Sequence, residues 1–188
     1  MKTDGSHAAC KSTRKGTSGF CVFLIGPHGS RLLLAWGTKK QTAIALSSGE
    51  CELFAMLHGS RTHIKCVMLL NYLLGFSPLD LRFDELLESD SSVALSILAK
   101  GSSASLRHLR RSAGVSVAWL HEYWCADDRC SDPSQKKEPG VGARRAKHQS
   151  GLDLEPDSLT KALGKDLTDK YNLSFGLVDT TDEVEQQG

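Results

Sequence analysis

Four carboxylates stand where a fold could gather them. Asp4 lies in KTDGSHA, Glu50 in SSGECELFAML, Asp90 in ESDSSVAL and Asp157 in EPDSLTKAL. Each has an ordinary explanation taken alone. Ser47-x-x-Glu50 is a capping box, with the glutamate reaching back to the Ser47 amide. Asp90 and Asp157 precede apolar helical patterns and read as N-caps. Asp4, before a glycine, reads as a turn aspartate. Taken together they suggest other chemistry. Carboxylates at strand ends and helix starts can meet at one edge of a sheet, where they repel and become protonated unless cations lie among them. Hard oxygen ligands suit Mg²⁺, and two such ions can clamp the attacking and leaving oxygens of a phosphodiester. Glu52 is turned by about 200° from Glu50 on a helix. Because Glu50 shares a face with Leu53, Phe54 and Leu57, it is expected on the packed side and Glu52 toward solvent.

The elements that would position these residues follow from periodicity. GFCVFLI (Gly19 to Ile25) and RLLLAW (Arg31 to Trp36) are apolar runs around the turn GPHGS, and read as a hairpin. TAIAL (Thr42 to Leu46) alternates and reads as a third extended piece. From Ser47 to Gly75 the apolar residues recur at helical spacing, predicting one long helix with a bend at Gly59 and a cap at Gly75. A short strand ending near Asp90 is expected next, then helices over 91–100 and 112–124. The segment 127–140 reads as a mobile insert, 141–149 as a weak strand, and a final helix starts in EPDSLTKALGKDL. One domain over 1–168 is expected, with 169–188 as an acidic, disordered tail. The order is that of a mixed α/β layer architecture.

Composition narrows the function classes. With a net charge of +1 over 188 residues, there is no global attraction to nucleic acid or membrane, so a polyanion site must come from local clusters. Such clusters are Arg14 with Lys15, Lys39 with Lys40, Arg107, His108, Arg110 and Arg111, and Arg144, Arg145, Lys147 and His148. No apolar run approaches the roughly 20 residues of a membrane helix. The polar N-terminus carries no signal peptide. The six cysteines therefore read as free thiols of an intracellular, reducing compartment, cytoplasmic or nuclear. Cys125 and Cys130 flank ADDR and give only a weak hint of a metal clip.

Read in order, DGSHAACKSTRKGTSGF, LAWGTKKQTAIALSSGECELFAML, SDSSVALSILAK, LRHLRRSAGVSVAWLHE and PDSLTKAL resemble the ribonuclease H domain of copia-type retrotransposon reverse transcriptases. The likeness spans about residues 4–166, and KKQTAIALSSGECE is its most specific block. It implies an RNase H-like fold, a mixed sheet of about five strands with helices on both faces. It implies an endonuclease, part of a Pol polyprotein, that hydrolyses the RNA strand of RNA–DNA hybrids with two Mg²⁺ ions, Mn²⁺ being an alternative. Products would carry 5′-phosphate and 3′-hydroxyl ends. Matched position by position, the catalytic, metal-binding carboxylates are Asp4, Glu50, Asp90 and Asp157, while Glu52 falls on a glutamate that is not the usual ligand. The implied partners are the hybrid, held by the basic clusters, and a reverse transcriptase polymerase domain; no membrane is implied.

The sequence also departs from the family pattern. Only three residues precede Asp4, so a truncated first strand is expected. Ser6 and His7 stand where the family has an aspartate and a tryptophan, and Pro156 where it has a small residue. These departures leave a second reading: a retroelement remnant that binds nucleic acid without cutting it, or serves only as an interaction domain.

Overall fold

The computed structural model describes residues 1–8, 10, 12–78, 83–106, 115–125, 142–161 and 164–176. The elements are β1 (Lys2–Ser6), β2 (Thr17–Ile25), β3 (Arg31–Lys40), α1 (Ser48–Leu73), β4 (Glu85–Ser89), α2 (Ser92–Lys100), α3 (Val117–Cys125), β5 (Arg144–His148), α4 (Asp157–Thr160) and α5 (Lys165–Ser174). They build a five-stranded sheet in the order β3-β2-β1-β4-β5. The β1–β2 and β2–β3 pairs are antiparallel, and the β1–β4 and β4–β5 pairs are parallel.

Glycines report which helix covers which face. A Cβ on Gly59 of α1 would meet Met1, Thr3 and Phe20, so α1 lies on the face to which Thr3 and Phe20 point. Gly19, one residue before Phe20, points the other way. A Cβ there would meet Pro156, Leu159 and Thr160 around α4. Helices therefore cover both faces, as the resemblance implies. Burial on both sides also explains why β2 is a near-continuous apolar run rather than an alternating one.

The core lies mainly on the α1 side. Leu53, Met56, Leu87, Leu98, Leu120 and Trp124 are each at most 1% exposed, and each such side chain contributes roughly 1.5–3 kcal/mol by leaving water. Two polar groups within it are satisfied by defined partners. The Trp124 indole donates to Ser60 Oγ at 2.9 Å. The buried Glu85 carboxylate bonds His63, Tyr123 and Arg144. Burial alone would raise the Glu85 pKa, but these three partners outweigh it and lower it.

Several elements differ from expectation. Thr42 to Leu46 forms no strand. It crosses the end of the sheet, carrying the chain from β3 to α1, and so has no strand edge to pair with. Helix α1 runs through Gly59 without a break; the glycine serves close approach to β1 rather than a kink. β1 extends past Asp4 to Ser6, pairs with β2 along all five residues, and pairs with β4 at Lys2 and Glu88, where the Met1 ammonium donates to the Leu86 carbonyl at 2.6 Å and the Met1 carbonyl accepts from the Glu88 amide at 2.9 Å. Helix α3 begins at Val117, where Ser116 Oγ accepts from the Trp119 amide. The final helical stretch is two helices, and α5 reaches Ser174, beyond the boundary drawn at 168. β5, the poorest strand sequence, is an edge strand, where exposed charge is tolerated. The segment 127–140, Cys130 and residues 177–188 lie outside the described residues. Cys10, Cys21, Cys51 and Cys66 are free thiols, and burial pushes the thiols of Cys21 and Cys51 up to about 12. Among the described residues no helix is long and apolar enough to cross a membrane.

Candidate metal centre

The strand register places two of the carboxylates. Lys2 pairs with Glu88 across the parallel β1–β4 contact, so two residues on, Asp4 stands level with Asp90. Asp4 is 1% exposed. Its partner on β2 is Gly19, whose missing side chain lets α4 approach the sheet. The Thr160 hydroxyl then donates to Asp4 Oδ2. Asp90 follows β4 directly. Ser91, not Asp90, caps α2, accepting from the Ala94 amide at 3.2 Å, so the aspartate side chain is not the helix cap. A Cβ on Gly151 would lie 3.1 Å from Asp90 Oδ2, and His148 at the end of β5 donates from Nε2 to the Asp90 carbonyl at 3.0 Å.

The third carboxylate comes from α1, and it is Glu52. One ligand oxygen from each of Asp4, Glu52 and Asp90 lies within 4.8 Å of the others. Gly5 brings this about. A Cβ there would stand 2.7 Å from the Cys51 carbonyl carbon and oxygen and 2.9 Å from the Glu52 amide nitrogen, so the helix backbone rests directly on β1. Gln41 holds the same turn from the other side, donating from Nε2 to the Cys51 carbonyl and to Ser18 Oγ, both at 3.0 Å. The expectation that Glu52 faces solvent is thereby overturned. Residues 49–57 are buried without exception, so beyond the exposed Ser48 the first turns of α1 have no solvent side.

Glu50 lies outside this group. Its Oε2 accepts from the Leu46 amide at 2.7 Å, and its own amide donates to Ser47 Oγ at 3.2 Å. The capping box forms, but closes on Leu46 rather than on Ser47. The face that Glu50 shares with Leu53, Phe54 and Leu57 is packed as expected; that face simply does not look toward Asp4. Asp157, the first residue of α4, is also outside the group of three. Its Oδ1 pairs with the Lys161 ammonium, which lies 3.6 Å from Asp4 Oδ1. Asp157 therefore reaches the centre through a lysine.

Electrostatics marks the centre as strained without a cation. Burial pushes the Glu52 carboxyl up to about 8, with further repulsion from Asp4 and Asp90. Glu52 is 5% exposed, and its Oε2 is buried with no hydrogen-bond partner. Asp4 is also raised, chiefly by burial, against the lowering influence of Thr160 and Lys161. An orphaned buried oxygen beside two further carboxylates is a donor set that fits a hard divalent ion such as Mg²⁺. The chemistry admits Mn²⁺ as well.

A pH dependence follows. At neutral pH Glu52 is protonated, so an ion must displace its proton. Ion affinity is expected to rise by up to about tenfold per pH unit below pH 8 and then level off. Calorimetric titration in buffers of different ionisation heat checks this by counting the released proton. Affinity flat over the same range would contradict it.

The basic residues divide. Lys39 and Lys40, at the end of β3, join Ser18, Gln41, His58 and Arg61 around a cleft beside the start of α1. Arg14, with φ 53°, is exposed in the loop between β1 and β2. Arg145 and Lys147 are exposed on β5. Arg144 turns inward instead, to Glu85 at 3.1 Å and over the Tyr123 ring. Arg107, His108, Arg110 and Arg111 lie outside the described residues.

The chain is similar to one solved structure, RNase H1 from the halophilic archaeon Halobacterium salinarum NRC-1. The two are 16% identical, the match covers 90% of this chain and 96% of that one, and the TM-score is 0.44. No family model matches the chain, and no curated protein does.

Sequence reasoning missed Glu52, although a signal was present. The neighbours of Glu52 at helical spacing are Gly49, Ala55, Met56 and Gly59. Two glycines and an alanine on one face mark close backbone approach, not a solvated surface. Thr160 and Lys161 were also missed as site residues, although both stand in the PDSLTKAL block.

Proposed function

We propose that the protein is a divalent-metal-dependent endonuclease that hydrolyses the RNA strand of RNA–DNA hybrids, the RNase H part of a copia-type reverse transcriptase. The observation that carries this reading is the meeting of Asp4, Glu52 and Asp90 within 4.8 Å, from segments far apart in the chain, around an orphaned buried oxygen. The motif blocks that resemble the copia-type domain support the retroelement context and a polymerase domain as partner.

In this reading Asp4, Glu52 and Asp90 hold the ion. When bound, the ion supplies positive charge against the scissile phosphate and lowers the pKa of an attacking water. Asp4 is kept rigid by its place inside β1 and by the Thr160 hydroxyl. Asp90 is fixed by the β4 end and by the His148 bond to its carbonyl. Glu52 gives up its proton to the solvent as the ion enters. Lys39, Lys40 and Arg61 face a hybrid backbone from the cleft beside α1, and such contacts read shape rather than sequence.

Replacing both Lys39 and Lys40 by alanine is expected to weaken hybrid binding and to lower the slope of log affinity against log salt by about two, one per lost phosphate contact. Binding measured in EDTA, where no cutting occurs, checks this. An unchanged slope would remove the cleft from the substrate path. The activity itself is tested with labelled RNA–DNA hybrid, duplex DNA and duplex RNA in Mg²⁺. Cleavage confined to the RNA of the hybrid supports the reading; cleavage of none, or of all three alike, refutes it.

A further inference from the structure

Lys161 has no part in the chemistry assigned above, yet it reaches into the centre. Its ammonium pairs with Asp157 Oδ1 and stands 3.6 Å from Asp4 Oδ1. It is therefore a cation seated between the carboxylates of Asp4 and Asp157. Its side chain remains 45% exposed, so the ammonium can withdraw to water without rearranging the core. The lysine is held by local geometry, since Asp157 and Lys161 are four residues apart across the single turn of α4. Thr160, between them, holds that turn to Asp4.

We propose that Lys161 is a tethered stand-in for a second cation, so that the substrate-free protein takes up one divalent ion, not two. The ion enters the Asp4, Glu52 and Asp90 group, where a buried oxygen lacks a partner. The Asp4–Asp157 side already holds a positive charge in the ammonium. A second divalent ion there has to displace a positive charge, and two cations cannot share one seat a few ångströms across. This inference rests on the proposed metal centre and refines it, replacing two equal ion seats with one open seat and one guarded by lysine.

The test counts ions rather than turnover. Purified protein is titrated with Mn²⁺ at pH 8 while free ion is followed by electron paramagnetic resonance, for wild type and for Lys161→Met, which keeps the length of the side chain and removes its charge. Wild type is expected to bind one ion. The variant is expected to bind two, its second affinity raised at least about tenfold over any residual second binding in wild type. Thermal unfolding of both proteins without metal verifies that the variant is folded, and Lys161→Arg, which restores the charge, is expected to return the count to one. Two ions in wild type, or one ion in both wild type and the methionine variant, would overturn the role given to Lys161 while leaving the metal centre standing. No bound ion in either protein would instead overturn the centre itself.

Discussion

Glu52→Gln is expected to lower Mg²⁺-dependent hybrid cleavage by about 10³-fold, equivalent to about 4 kcal/mol of transition-state stabilisation, whereas Glu50→Gln stays within about threefold of wild type. The two glutamates are two residues apart and both are buried, so burial cannot separate them; what separates them is where their oxygens go. Glu50 Oε2 is used by the Leu46 amide. Its replacement weakens a helix start by about 1 kcal/mol. Glu52 Oε2 has no hydrogen-bond partner and lies with Asp4 and Asp90.

The stability of the same variant follows from linkage. The Glu52 pKa is raised in the folded protein, from 4.5 to about 8. Without metal, the folded state therefore binds the extra proton, and this contribution to stability is full below about pH 4.5 and is lost as pH rises through 8. Glutamine resembles the protonated form and does not ionise. At pH 4 the metal-free variant should unfold near the wild-type temperature, and above it by a margin that grows as pH rises from about 4.5 to about 8. Added Mg²⁺ should raise the melting temperature of wild type and not of the variant. Scanning calorimetry with and without Mg²⁺ reads all of these. A variant that Mg²⁺ still stabilises would remove Glu52 from the centre.

Gly5→Ala is expected to be strongly destabilising. The added carbon would meet the Cys51 carbonyl at 2.7 Å and the Glu52 amide at 2.9 Å. These are backbone atoms of a buried helix, which cannot rotate aside as a side chain can. A cost of about 3 kcal/mol is expected, the upper part of the range for overpacking. For a chain of this size that corresponds to a loss of roughly 6–12 °C in melting temperature. Because the same contact sets Glu52 over β1, ion affinity should fall with stability. Gly164→Ser is the comparison, since a Cβ there meets nothing within 4 Å and the position is the N-cap of α5. A Gly5→Ala protein as stable as wild type would mean that α1 does not rest on β1 as described.

The residues that made the fold legible are those whose local pattern agrees with their surroundings. The β2–β3 hairpin announces itself by two apolar runs about a glycine turn, and α1 by long helical spacing with Ser47 at its start. Asp90 was legible at the end of a strand pattern, whereas Asp4 alone reads as a turn aspartate and was assigned to the same centre as Asp90 only through the family resemblance. β5 was hardly legible, since an edge strand shields little and RRAKH carries no apolar alternation. Glu52 was misread for a different reason. Facing was inferred from the apolar residues around Glu50, as though α1 had one buried side. Its first turns are instead enclosed by β1, by α2 through Val93 against Gly49, and by the segment ending at Leu46. A helix buried all round carries no amphipathic signal from which to read direction. The part played by Lys161 depends on α4 meeting Asp4 across the sheet, a contact between residues 157 positions apart that no local pattern contains.

The most direct measurement is cleavage of an RNA–DNA hybrid, labelled on the RNA strand, by wild-type protein and by Asp90→Asn in the presence of Mg²⁺. Wild type should release RNA fragments ending in 5′-phosphate and 3′-hydroxyl, and the asparagine variant should bind the hybrid and leave it whole. Equal inertness of the two proteins, with hybrid bound by both, would contradict a catalytic metal centre at Asp4, Glu52 and Asp90.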